Sequence, residues 1–232
     1  MRLTEMRVGV PCTADQALPA YLYSFTRYVD EHRHTKMKVV RRCRYRNHAG
    51  DTCYFVERQY TLQIVPEWAL KLVPNGVQTI ERCFIEWPRI RSIVACPMLS
   101  GRLSISIDAF FSDKSDLQNV FGLDSNEIAV RRLIRANISP TPTLFVYKLF
   151  RISFNQFGLQ KKLEEFIEAE LNDAWKKMFM KAVDWKDQWE QLTIDSAIGP
   201  WPESESVMRM DPIPPQLHSN GLHVGMRFKS KL

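Results

Sequence analysis

The sequence predicts an α+β fold in which a run of antiparallel strands is followed by one long amphipathic helix lying across the sheet. Three observations carry this. From about residue 36 to residue 154 the apolar residues recur in short, mostly alternating segments. In "LSISIDAFF", Leu103, Ile105, Ile107 and Ala109 alternate with Ser104, Ser106 and Asp108, the period of a sheet with one buried face. From Gly158 onward the spacing becomes three and four, with Leu159, Leu163, Phe166, Ile167, Leu171, Ala174, Trp175, Met178, Phe179 and Ala182 on one stripe.

In chain order, a weaker helix is expected over 14–31. Strands follow at 36–46, 53–64, 77–87, 90–96, 103–111 and 144–154, interrupted by a helix over "NEIAVRRLIR" at 126–135. The long helix closes the ordered part. Residues 1–198 read as one domain, and 199–232, with "GPWPESES" and "DPIPPQ", as an irregular C-terminal tail.

At 232 residues with 45% hydrophobic and 11% aromatic residues, the chain can bury a substantial core. It contains no apolar run of membrane-spanning length, and "MRLTEMRVGV" lacks the h-region and cleavage site of a secretory signal, so a cytoplasmic protein is expected. Five cysteines without CxxC spacing suggest neither a disulfide framework nor a metal site. The net charge of +6 favours anionic partners, either nucleic acid or acidic membrane. The basic run "KMKVVRRCRYR" comes with no recognition-helix, RNP or zinc-finger pattern, and no nucleic-acid partner is expected. Five histidines fall in loops, edges or the tail. Without GxSxG, HExxH or a Gly-rich phosphate loop, no catalytic residue is assigned and no enzyme is expected.

Two cations stand out. Lys148 shares its strand face with Val146, Phe150, Ile152 and Phe154, and Arg58 shares its face with Val56, Tyr60, Leu62 and Ile64. A lone buried ammonium or guanidinium costs several kcal/mol unless an anion compensates it. An anionic ligand group between sheet and helix resolves both; so do acidic side chains paired with them, or strands that face water on that side. A third oddity is "PEWALKLVPNG" at 66–76, an apolar knuckle bounded by prolines and closed by Asn75-Gly76.

"MRVGVPCTADQ" with "YLYS", "RQYTLQIVPEWALKLVPNG", "ERCFIEWPRIRS" and "YKLFRISFNQFGLQKKLEEFIE" running to "WKDQWEQLT" together resemble the phosphatidylinositol transfer protein family over roughly residues 2 to 197. The resemblance implies a helix-grip, START-like fold: a curved antiparallel sheet around a long C-terminal helix, enclosing one phospholipid with its head group inward. It implies a non-enzymatic phospholipid carrier acting transiently at membrane surfaces, with phospholipid as cargo, no cofactor, and a monomer. The alternative is a lipid sensor that presents its ligand to a partner protein, or a START-like binder of another hydrophobic ligand.

Carried over residue by residue, the family's phosphate-contacting lysine matches Lys148, and a threonine matches Ser92, which keeps the hydroxyl. A glutamine and a threonine on the phosphate side appear as Tyr21 and Ala109. Of the inositol-contacting positions, Arg58 keeps its charge, whereas Val56, Ile85 and the region of Trp201 do not keep polarity. A pocket selecting an inositol ring needs polar partners for its hydroxyls, so a non-inositol lipid such as phosphatidylcholine is expected. The family's lipid-exchange segment coincides with 66–76, where Trp68, Leu70, Leu72 and Val73 form a lid and membrane contact. The paired tryptophans of the membrane-facing tip are replaced by Gln156 and Phe157.

Overall fold

The computed structural model describes residues 1–31, 35–62, 68, 77–99 and 101–202. One eight-stranded, curved and unclosed sheet dominates it. The strands are β1 (Arg2–Val10), β2 (Thr35–Arg46), β3 (Thr52–Leu62), β4 (Val77–Glu86), β5 (Arg89–Ala95), β6 (Leu103–Ser112), β7 (Arg132–Asn137) and β8 (Leu144–Phe154). Their order is β2-β3-β4-β5-β6-β8-β1-β7. Two helices cover the inner face: α1 (Ala14–Glu31) and the 25-residue α3 (Gln160–Asp184). Short helices α2 (Ser125–Val130), α4 (Lys186–Trp189) and α5 (Ile194–Ile198) complete it.

The strand expectations at 36–46 through 144–154 and the helices at 14–31 and beyond 158 match these elements to within a few residues. Three expectations change. The sheet is mixed, because β7 runs parallel to β1, with Thr4 opposite Arg132 and Gly9 opposite Asn137. The helix expected over 126–135 stops at Val130, and its second half becomes β7. Asp124 caps α2 in a reciprocal capping box with Glu127, which fixes the start of the helix; Ile134 and Ala136 then find a strand partner in β1, a non-local reward that overrides helical spacing. The N-terminal strand β1, unassigned from sequence, is almost wholly buried between β8 and β7.

Inner-face residues from most strands form one core with α1 and α3, including Met6, Val56, Cys83, Ile85, Ile107, Val146 and Phe150 against Leu22, Trp175 and Met178. The outer face of the sheet centre is also covered. Leu3, Leu149 and Leu123 pack together there, and the Tyr147 hydroxyl donates to the carbonyl of Lys114 while accepting from Leu117 N. This explains why both faces of β8 are apolar. Residues 199–202 dock on the β2 edge, where Arg44 N donates to the Pro202 carbonyl at 2.9 Å and Trp201 packs edge-on against Tyr54. The rest of the tail, 203–232, lies outside the described residues.

Candidate functional site

The inner face brings Lys148, Arg58, Ser92 and Tyr21 into one buried region. Lys148, on β8, is 1% exposed and sits between Met6 of β1 and Ala109 of β6. Its Nζ donates to the Tyr21 hydroxyl at 3.3 Å and lies 3.3 Å from the Trp175 ring centroid. Among the described residues, no carboxylate forms an ion pair with it. Burial lowers its pKa from 10.5 to about 7, against weaker opposing influences from Cys83, Glu81 and Asp108.

Arg58 has a different environment. Glu81, directly opposite on β4, accepts from Arg58 Nη1 at 3.1 Å. Tyr60 also donates to Glu81, and the nearby Ser92 hydroxyl favours its charged form. Burial opposes ionisation of this carboxyl, but the Arg58 charge and these neighbours outweigh it and hold the pKa below the usual range. Burial likewise works against the guanidinium, and Glu81 and its neighbours more than reverse that. Arg58 is therefore not a solitary cation: the acidic pairing that the sequence left open is present, and Glu81 supplies it. The guanidinium also faces the Phe25 ring at 4.7 Å. Sequence reading missed Glu81, although it shares a strand face with Cys83 and Ile85, an alternation that could have flagged it.

Between the two cationic positions the helices place an aromatic stack. Tyr21 and Trp175 lie 5.8 Å apart at 9°, and Phe25 is 5.4 Å from Trp175. These rings fill the space between sheet and helices. Beside Tyr21, Phe111 and Met178 a void of about 40 Å³ remains. A larger cleft of about 510 Å³ lies elsewhere, between the start of β1 and that of α3, lined by Arg2, Arg132, Lys161, Glu164 and Glu168; none of the head-group residues reaches it.

At the end of the sheet where α3 begins, Trp68 is half-buried, edge-on to Phe166 at 5.9 Å and beneath Lys162 Nζ at 4.6 Å. Leu70, Leu72 and Val73 lie outside the described residues. Phe157 is fully exposed at the tip between β8 and α3, next to Gly158, whose φ of 78° a side chain would disfavour.

A sequence profile described as "Phosphatidylinositol transfer protein" matches residues 1–142 and 137–198. The chain belongs to the phosphatidylinositol transfer protein family. Among its relatives is Phosphatidylinositol transfer protein 5 of Dictyostelium discoideum, 24% identical over 169 residues that cover 57% of this chain and 59% of that one. Protein retinal degeneration B of Drosophila melanogaster is 22% identical over 251 residues, 84% of this chain and 20% of its own length. Phosphatidylinositol transfer protein beta isoform of Mus musculus is 23% identical over 239 residues, 83% of this chain and 88% of the relative. The chain thus spans less than two thirds of the first two of these relatives.

Proposed function

We propose that the protein is a non-enzymatic carrier that takes up one glycerophospholipid between the sheet and α1 and α3, in a helix-grip, START-like arrangement, and transfers it between membranes. The observation that carries this reading is Lys148, a fully buried ammonium at the centre of the inner face with no carboxylate ion-paired to it among the described residues. A phosphate is the ligand group that would compensate it. Family membership supports the same reading.

The lipid-binding unit is residues 1–198. Its phosphate would lie toward Lys148, Tyr21 and Ser92. Val56 and Ile85 are fully buried and apolar where an inositol ring would need hydroxyl partners, which favours phosphatidylcholine or another non-inositol lipid. Loading requires the aromatic stack to part, since a two-chain lipid exceeds the drug-sized ligands that fill about 300–1,000 Å³. Trp68 and Phe157 at the same end suit transient contact with a bilayer. No described helix is long and apolar enough to cross a membrane; in this reading the protein is a monomer that visits membranes from the cytoplasm.

Native mass spectrometry of lipid bound from a mixed-lipid source, together with transfer between donor and acceptor vesicles, tests the proposal. A dominant non-inositol glycerophospholipid and measurable transfer are expected. Phosphatidylinositol as the main cargo would overturn the selectivity, and retention of lipid without transfer would favour a sensor.

A further inference from the structure

The turn between β5 and β6 ends beside the Phe157 tip, and hydrogen bonds tie the two together. Asn155 N donates to the Arg102 carbonyl at 2.7 Å, and Arg102 Nη1 donates to Gln156 Oε1 at 3.2 Å. A single 3-10 turn, Pro97–Leu99, shapes the stretch: Leu99 is buried against Phe154 and Leu163, which leaves Met98 pointing outward at 38% exposure. One exposed methionine is ordinary on a soluble protein. Here it stands on a turn held against a second turn whose Phe157 is fully exposed.

The charges around these two tips are mostly of one sign. Arg102, Lys161 and Lys162 are all exposed. In the first turns of α3, Glu164 is buried and Glu165 is paired with Arg2. No side chain caps the start of α3, and no acidic residue occupies its first turn, where a carboxylate would stabilise the helix and two lysines do not. Local stability is thus given up where apolar tips and cations share one end of the molecule, a pattern that marks function more often than folding.

We propose that the Pro97–Leu99 turn, together with Arg102, is a second membrane-contact element, with Met98 entering the interface of an anionic bilayer beside Phe157 and Arg102 pairing with lipid phosphates. The inference rests on the carrier reading and adds to it a docking surface that is broader than a single aromatic tip. Charge complementarity selects the partner: an anionic membrane attracts clustered Arg and Lys, each adding about a fivefold gain in partition.

All five native cysteines are buried, so one introduced thiol can be labelled selectively. Met98→Cys carrying an environment-sensitive fluorophore is compared with His48→Cys, on the exposed hairpin turn at the opposite end of the sheet, in the full chain. Vesicles of phosphatidylcholine with and without phosphatidylserine are added. The label at 98 is expected to brighten and shift blue on the anionic vesicles, while that at 48 stays unchanged. In unlabelled protein, Arg102→Gln is expected to reduce partition about fivefold with bound lipid unaltered. Equal responses at both positions, or partition unchanged by Arg102→Gln, would overturn the docking surface. Bound lipid is measured in the same samples: a responding label on a protein that never takes up phospholipid would sustain this surface and overturn the carrier reading instead.

Discussion

Replacing Lys148 by methionine keeps most of the buried stem and removes the cation. In the unfolded chain the amine ionises near 10.5, whereas in the fold burial brings it to about 7. That difference corresponds to on the order of 5 kcal/mol. The sign follows from proton binding. Between about pH 7 and 10.5 the unfolded chain holds this proton and the fold does not, so the Lys148 contribution to stability rises with pH across that window, while the buried thiols, raised from 9.0, oppose it above about pH 9. Below about 7 both states are protonated and the full penalty is present. Lys148→Met is therefore expected to stabilise the empty protein at neutral pH by several kcal/mol and to flatten the rise toward pH 10, while abolishing most phospholipid binding.

Urea unfolding of lipid-free protein across this pH range reads the first effect, and bound-lipid stoichiometry reads the second. A phosphate arriving beside Lys148 should also draw a proton onto it. Binding calorimetry above pH 7, in buffers of different ionisation enthalpy, is expected to show uptake of up to one proton in the wild type and none in the variant. A wild-type profile that runs parallel to the variant's from pH 7 to 10, or a variant that transfers lipid at the full rate, would refute this account of Lys148.

Further expectations follow from the neighbouring groups. Glu81→Gln leaves the Arg58 guanidinium buried without its counter-ion and should cost about 3–5 kcal/mol, most of it recovered by adding Arg58→Met; denaturant midpoints of the single and double variants check this. Because the folded pKa of Glu81 lies below its ordinary 4.5, its stabilisation is complete above that value and is lost as pH falls through the folded pKa, which acid titration of wild type against the double variant should show. Trp175→Ala should cost about 3–5 kcal/mol yet speed lipid uptake by removing the ring that covers Lys148, measured by stopped-flow loading from fluorescent-lipid vesicles. Trp68→Ala with Leu72→Ser should slow vesicle-to-vesicle transfer while bound lipid is retained; an unchanged rate would show that the 66–76 segment is not the membrane contact.

Local pattern made much of this readable. The alternation in β6 and the three-and-four spacing after Gly158 are short-range signals, and both elements formed where the pattern placed them. Lys148 could be singled out because its strand neighbours are apolar, and that environment is what buries it. The remainder depends on partners distant in sequence. β7 is a strand because β1, about 130 residues earlier, offers it a parallel edge. The outer face of β8 is apolar because the segment carrying Lys114, Leu117 and Leu123 folds over it. Glu81 escaped notice for a similar reason: the register that sets it opposite Arg58 depends on how a connection of about fourteen residues closes between β3 and β4, and sequence spacing does not fix that.

The ring packing between sheet and helices bears on how the proposed carrier would work in both directions. In the proposed carrier, lipid entry must break the packing of Tyr21, Phe25 and Trp175, each ring worth a few kcal/mol of burial, and widen a void of about 40 Å³ beside them. Against this, a phosphate would relieve the uncompensated Lys148, and acyl chains would cover the apolar sheet face in place of the rings. Were the empty fold a hollow vessel, acyl chains would leave it only at the full cost of exposing its walls, on the order of 0.8 kcal/mol per methylene. A fold that repacks as cargo departs lowers that cost, because the rings return to cover the sheet. In the proposed carrier the rings that line the interior would thereby help release the lipid, and the buried ammonium would tip the balance back toward loading whenever a phosphate reaches it.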